Sequence, residues 1–176
     1  MTFKESFRDK SLLWDGKYGS YLSDAQTIMS SADGKTIFVG SGVDLFYFNV
    51  NDDGTLINQD DNRLHQTPFK NGSPMIARGD FLFTAESQGY SGNSITIYQR
   101  QPDGSWKNIG MTMFDGDISG WDTRLKLTMS DDGKTGVLLI IGSDYDDDYN
   151  EIPVYESFIF TAVSYTHLRA HETVLD

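Results

Sequence analysis

Oxygen ligands are the chemistry in which this sequence is richest. In SDYDDDYNE, Asp144, Asp146, Asp148 and Asn150 occupy alternate positions, a spacing that lets a looped chain converge several oxygens on Ca²⁺. The same alternation on a straight strand would make only a solvated acidic face. In FDGDISGWDT, Asp115, Asp117 and Ser119 stand at loop positions one, three and five, with Gly120 at six. That is the opening of a calcium loop, but its closing bidentate acid is missing and Ser119 is a weak ligand. Asp144, Asp146, Asp148, Asn150, Asp115 and Asp117 are therefore the candidate metal ligands, with Ca²⁺ the expected cation. A solvated turn is the competing reading of each cluster.

Other chemistries have less to work with. The chain has no cysteine, which excludes disulfides, thiolate zinc sites and cysteine nucleophiles. Of its three histidines, His65 lies in the polar stretch DDNRLHQTPFK. Nothing beside it marks the nucleophile and orienting acid that a catalytic base requires, so it reads as a loop histidine and no catalytic residue is assigned. His167 and His171 are four apart, a zinc-compatible spacing only on a helix. Phe46, Tyr47, Phe48, Tyr98, Trp106, Trp121 and Tyr155 would suit a carbohydrate-stacking surface, but recurrence at matched repeat positions favours packing.

Charge narrows the partners. Against 14 Lys and Arg stand 26 acids, a formal net charge of −12, which repels nucleic-acid phosphates and anionic headgroups. Neither nucleic acid nor a membrane surface is expected as a partner. Membrane insertion is also unexpected, since the longest aliphatic run, Val137 to Ile141, is far short of the roughly 20 residues of a spanning helix. The acids comprise 21 Asp and five Glu; because Asp favours turns and Glu favours helices, the acidity belongs to loops.

The elements that would hold those loops are strands. Asp-Gly pairs begin at Asp15, Asp33, Asp53, Asp103, Asp115 and Asp132, and Asp-Gly supplies the positive φ of tight hairpins. TIFVGS follows the Asp33 pair, VDLFYFNV precedes the Asp53 pair, NSITIYQR precedes the Asp103 pair, and TGVLLIIGS follows the Asp132 pair. No segment before position 164 has helical periodicity, so an all-β chain is expected.

Internal repetition sharpens this. FYFNVNDDGTLIN, from Phe46, aligns without a gap on TIYQRQPDGSWKN, from Thr96, at an offset of 50. The Asp-Gly-Lys-Thr sequences at Asp33 and Asp132 lie 99 apart, two periods, and the intermediate copy replaces that turn with Arg78, Gly79 and Asp80. Four strands in about 50 residues is one propeller blade. The expected fold is a partial β-propeller of about three four-stranded antiparallel blades, at 24–62, 73–111 and 124–163. Residues 1–23 would be the end of a preceding blade or a connection. The third blade is expected to stop at its third strand, EIPVYESFIF, with Tyr155 in the place of Tyr98.

The phrasing from SITIYQRQPDGSWKN through LTMSDDGKTGVLLIIGSDYDDD to NEIPVYE resembles the FG-GAP, integrin-α-like repeats of large extracellular proteins. Tyr18-Gly19 and Gly120-Trp121 stand near the Phe-Gly position, and Gly40 or Gly142 near the Gly-Ala-Pro position, although that triplet is absent. SSADGKTIFVGSGVDLFYFNVNDDGTLI is also similar to the repeats of seven-bladed lactonase-type propellers. The first resemblance implies a binding or adhesion module, a fragment of an extracellular or cell-envelope propeller whose loops take a protein or carbohydrate ligand. The second implies a fragment of a lactonase-like hydrolase. MTFKESFRDK lacks the apolar stretch of a secretory signal, and the oligomeric state has no signature. The last 13 residues, SYTHLRAHETVLD, resemble translated sequencing adapter, which implies a non-native tail over 164–176 and a coding sequence cut within the third blade.

Overall fold

The computed structural model describes residues 25–41, 44–57, 63–64, 73–87, 92–114, 123–145, 150–163 and 167–173, and every regular element among them is a β-strand. The chain divides into two units, Met1–Gly72 and Ser73–Asp176. In the first, β1 (Ala25–Ser30), β2 (Thr36–Ser41), β3 (Asp44–Val50) and β4 (Leu56–Ile57) pair antiparallel in that order. β5 (Arg63–Leu64) pairs with Leu45 and Phe46 of β3 on the edge that β4 uses at Asn49 and Val50. Together β4 and β5 fill one interrupted fourth-strand position.

The second unit holds two four-stranded meanders. One is β6 (Met75–Arg78), β7 (Phe81–Ser87), β8 (Asn93–Arg100) and β9 (Trp106–Phe114); the other is β10 (Arg124–Met129), β11 (Thr135–Tyr145), β12 (Glu151–Val163) and β13 (His167–Thr173). Three antiparallel sheets with strands in sequence order are the organisation of a partial β-propeller, each sheet having the topology of a blade.

The turns explain why the repeat is visible in the sequence. At the first Asp-Gly-Lys-Thr turn, the Ser31 hydroxyl donates to Asp33 (2.6 Å), the Lys35 amide donates to the same carboxylate (3.1 Å), and the Thr36 amide donates back to Ser31 Oγ (2.9 Å). At the second, Ser130, Asp132, Lys134 and Thr135 make the same three bonds at 2.6, 3.0 and 3.0 Å. The hairpins 50 residues apart also match, since Thr55 donates through amide and hydroxyl to Asp53 at 2.9 and 2.6 Å, and Ser105 does the same to Asp103. In both pairs a short side chain satisfies turn amides that would otherwise need water. Gly54 and Gly104 accept φ of 81° and 83° there, a conformation costly to residues with a Cβ. The degenerate copy is a true two-residue hairpin in which Arg78 pairs with Phe81 across Gly79 and Asp80.

These hydrogen bonds set a pH dependence. Donation from the Ser105 hydroxyl and amide holds the Asp103 carboxyl below its ordinary value, and donation from the Ser130 hydroxyl and Lys134 amide does the same for Asp132. A carboxyl depressed by folding stabilises the fold above its unfolded pKa, and that contribution is lost as pH falls through the folded value. Below about pH 4, wild type is therefore expected to lose more stability than the double variant Asp103→Asn/Asp132→Asn, which keeps the acceptor oxygens without the charge. Parallel urea midpoints for the two proteins across that range would refute this. Both carboxylates are solvent-exposed, so the difference is small.

Side chains alternate across each strand, one face inward. In the second unit Phe83, Ala85, Ile95, Ile97 and Phe114 of the β6–β9 sheet pack with Met129, Leu138, Ile140, Phe158 and Phe160 of the β10–β13 sheet. The Phe114 ring lies 5.1 Å from Phe158 and 6.3 Å from Phe160, tilted by 58° and 63°, arrangements that aromatic quadrupoles favour. In the first unit Val39, Phe46 and Phe48 are the buried cluster.

The third sheet departs from expectation in two ways. Counting from its turn, Thr135 pairs with Thr161 and Gly136 with Phe160, whereas Thr36 pairs with Asn49, Ile37 with Phe48, and Leu82 with Tyr98. Phe160, not Tyr155, therefore takes the place of Phe48 and Tyr98. Phe160 and Tyr98 are both 0% exposed and Tyr155 is 60% exposed. The β11–β12 hairpin is four residue pairs longer than β7–β8, and this extension moves Tyr155 out of the core. The second is a fourth strand where the blade was expected to stop at its third: residues 167–173 pair with β12 from Ser157↔Thr173 to Val163↔His167, which does not bear on whether 164–176 is a non-native tail. Backbone pairing asks only for an extended segment. On a strand, positions 167 and 171 lie about 13 Å apart, so the helical two-histidine spacing is not realised.

Candidate functional site at the loop end of the second unit

Each meander has two ends. The turns described above lie at one; the β7–β8, β9–β10 and β11–β12 connections lie at the other, the loop end. β9 finishes at Phe114 opposite Asn93, and β10 starts at Arg124 opposite Ile141. The connection holding Asp115 and Asp117 thus leaves and rejoins the sheets at that end. β11 continues from Ile141 to Tyr145 and β12 returns from Glu151 at the same end. The described strands that flank the two acidic segments therefore end on one side of the second unit.

Asp144 sits on β11 with Ile152 as its backbone partner, and Asn150 is exposed immediately before β12. Asp146, Asp148, Asp115 and Asp117 lie outside the described residues, as do His65 and Trp121. Among the described residues no three acidic or imidazole groups gather as a metal site would require.

Because β11 and β12 overrun the start of β10, the extended hairpin leaves an open concavity of about 510 Å³ lined by Thr123, Arg124, Ile141, Gly142, Ser143, Glu151 and Pro153. Arg124, Ser143, Glu151 and Pro153 are exposed. A guanidinium, a carboxylate and hydroxyls in one open hollow can exchange hydrogen bonds with a polar ligand. No motif in the sequence marks these residues. Only the paired length of the hairpin, four pairs beyond its counterpart, sets them in a hollow.

Five of the seven aromatics resolve into packing; Tyr155 is exposed and Trp121 lies outside the described residues. Phe46, Tyr47, Phe48, Tyr98 and Trp106 are no more than 6% exposed, and Arg100 lies over the Trp106 ring at 5.2 Å. Sequence reasoning also missed a polar patch on the other face of β7 and β8, where Thr84, Glu86, Ser94 and Thr96 are all 0% exposed and the Thr84 hydroxyl donates to Glu86 at 3.2 Å. The alternation T-A-E in β7 reads equally well as a solvated face, and only tertiary burial distinguishes the two.

No family model and no curated protein matches this sequence. Among solved structures, the periplasmic gluconolactonase of Pseudomonas aeruginosa aligns with TM-score 0.46 and 16% identity over 83% of this chain and 49% of that one. A functionally unknown protein from Desulfotomaculum acetoxidans DSM 771 aligns with TM-score 0.49 and 15% identity over 85% and 55%. The chain spans about half the length of these two proteins.

Proposed function

We propose that this chain is a non-catalytic binding module, part of an extracellular or cell-envelope β-propeller of FG-GAP-like phrasing, that presents a protein or carbohydrate ligand with the loop end of its sheets. The observation that carries this reading is the contrast between the two ends. The turn end repeats the same hydrogen bonds at offsets of 50 and 99. The loop end holds the length variation and the polar concavity, and the described strands flanking both acidic segments end there. A scaffold that keeps one end constant and varies the loops at the other is the usual way folds present recognition surfaces. In this reading Ca²⁺ holds the 144–150 and 115–122 loops through Asp144, Asp146, Asp148, Asn150, Asp115 and Asp117.

Isothermal titration of the full chain with CaCl₂ alone tests the cation. A saturable heat with a dissociation constant on the order of 10⁻⁴ to 10⁻³ M is expected, as for extracellular modules, and Asp146→Asn/Asp148→Asn should weaken it at least tenfold. No heat at millimolar Ca²⁺ removes the metal from the proposal. The alternative, a lactonase-like hydrolase, is separated by titrating acid release from a sugar lactone. Turnover that is lost on Arg124→Ala or Glu151→Ala would replace the binding reading with a catalytic one.

A further inference from the structure

Asp-Gly is a dipeptide in which a chain readily modifies itself, because glycine has no Cβ to hinder attack by its own nitrogen. That nitrogen bonds to the aspartate Cγ as one water leaves, and the succinimide so formed takes water back at either carbonyl. Opening at one restores aspartate. Opening at the other gives isoaspartate, whose main chain runs through Cγ and is longer by a methylene. Water is the only other reactant. In a hairpin, where the turn sets the register, such a lengthening would disturb the pairing beyond it.

Of the Asp-Gly pairs, those at Asp15 and Asp115 lie outside the described residues, and Asp33, Asp53, Asp103 and Asp132 are all exposed. Water therefore reaches these four, and geometry has to withhold the reaction. Ring closure requires Cγ to swing onto the glycine nitrogen, and each turn ties both groups elsewhere. Asp33 accepts from the Ser31 hydroxyl and Lys35 amide, and Asp132 from the Ser130 hydroxyl and Lys134 amide, at 2.6 to 3.1 Å. Asp53 and Asp103 each accept from the hydroxyl and amide of one residue, Thr55 and Ser105, at 2.6 and 2.9 Å. The glycine amides donate back across the turns, Gly34 to Ser31, Gly54 to Asn51, Gly104 to Gln101 and Gly133 to Ser130, at 2.9 to 3.0 Å.

The remaining described turn, between Arg78 and Phe81, differs in both respects. Asp80 follows Gly79 and precedes Phe81, whose side chain hinders attack by its amide, and the residues two positions away, Arg78 and Leu82, carry no hydroxyl. Among the described turns, a hydroxyl holds the carboxylate wherever aspartate precedes glycine and is missing where it does not.

We propose that the hydroxyls of Ser31, Thr55, Ser105 and Ser130 guard these Asp-Gly bonds against conversion to isoaspartate, each by holding its carboxylate off the glycine nitrogen. The same donation keeps the Asp103 and Asp132 carboxyls ionised, and a carboxylate, already negative, resists a nucleophile. This role belongs to the constant end of the sheets and is independent of any ligand at the loop end.

Ageing the full chain at neutral pH, folded and in guanidinium chloride, tests it, with isoaspartate at each position measured after proteolysis by enzymatic methylation of its free carboxyl. The four aspartates should convert at least about tenfold more slowly in the folded chain, where the turns stay closed. Ser105→Ala should speed conversion at Asp103 about fivefold, the opening that loss of one hydrogen bond allows. Asp53, in the other unit, is the reference within the same molecule and should not change. Ser105→Thr, which keeps the hydroxyl, should stay slow. Thr55→Ala read at Asp53, with Asp103 as the reference, repeats the test if Ser105→Ala fails to fold. Equal rates in folded and unfolded chains would overturn the proposal. So would an unchanged rate at Asp103 in Ser105→Ala, or an equal rise at both positions, which would report general loosening rather than a lost guard.

Discussion

Phe160→Ala is expected to destabilise the second unit by about 3–5 kcal/mol, the range for emptying an aromatic site in a packed core. Phe160 is 0% exposed, lies against Phe114 and belongs to the cluster that joins the β6–β9 and β10–β13 sheets. Its removal leaves a cavity between two sheets whose backbones are held by their own ladders, so collapse around it is limited. Domains of this size are stable by only about 5–15 kcal/mol, so the variant should melt far below wild type or fail to fold. Urea unfolding followed by circular dichroism measures the loss. Phe160→Leu, which retains most of the apolar volume, should lose much less. A loss under about 1 kcal/mol for the alanine variant would mean that the two sheets are not packed through this residue.

The opposite change at the neighbouring position should also be costly. Gly136 pairs with Phe160 across β11 and β12, and a Cβ added there would lie 2.2 Å from Phe160 Cζ and 2.5 Å from Met129 Sδ. Gly136 is not among the positive-φ glycines, so its backbone would accept alanine, and in a loosely packed strand that substitution would help slightly. Here the ring sits on the bare backbone, and Gly136→Ala is expected to cost about 1–3 kcal/mol through overpacking. Because the cause is one contact, Gly136→Ala/Phe160→Leu should be less destabilised than the sum of its single variants, a coupling of about 0.5 kcal/mol or more. Additive losses, or a stabilising Gly136→Ala, would show that the ring does not rest there.

The acidic clusters show where local reasoning ends. Asp144, Asp146, Asp148 and Asn150 were recognisable as oxygen ligands from residue type and spacing, and so were Asp115 and Asp117. That the strands flanking both clusters end on one side of the second unit could not be read from spacing, because it depends on β9 ending at Phe114 and β10 beginning opposite Ile141. Arg124, Ser143 and Glu151 had no signal at all. They became a site only because β11 and β12 overrun β10. Tyr155 misled for a related reason. Matching it to Tyr98 compared side-chain types, while the true correspondence runs through pairs counted from the Asp132 turn to Phe160.

By itself the sequence determined the all-β class, the repeat of four strands in about 50 residues, and the turns that start it. Those turns are built by residues within five positions of each other, as in Ser31, Asp33 and Thr36, so their chemistry is complete before any sheet exists. Tertiary structure alone decided the length of the third hairpin, the burial of Glu86 beside Thr84, and which face of the β10–β13 sheet meets a neighbour. Strand alternation offers two equivalent faces, and only non-local pairing selects the buried one. The core at Phe160 and the hollow at Arg124 both follow from that selection.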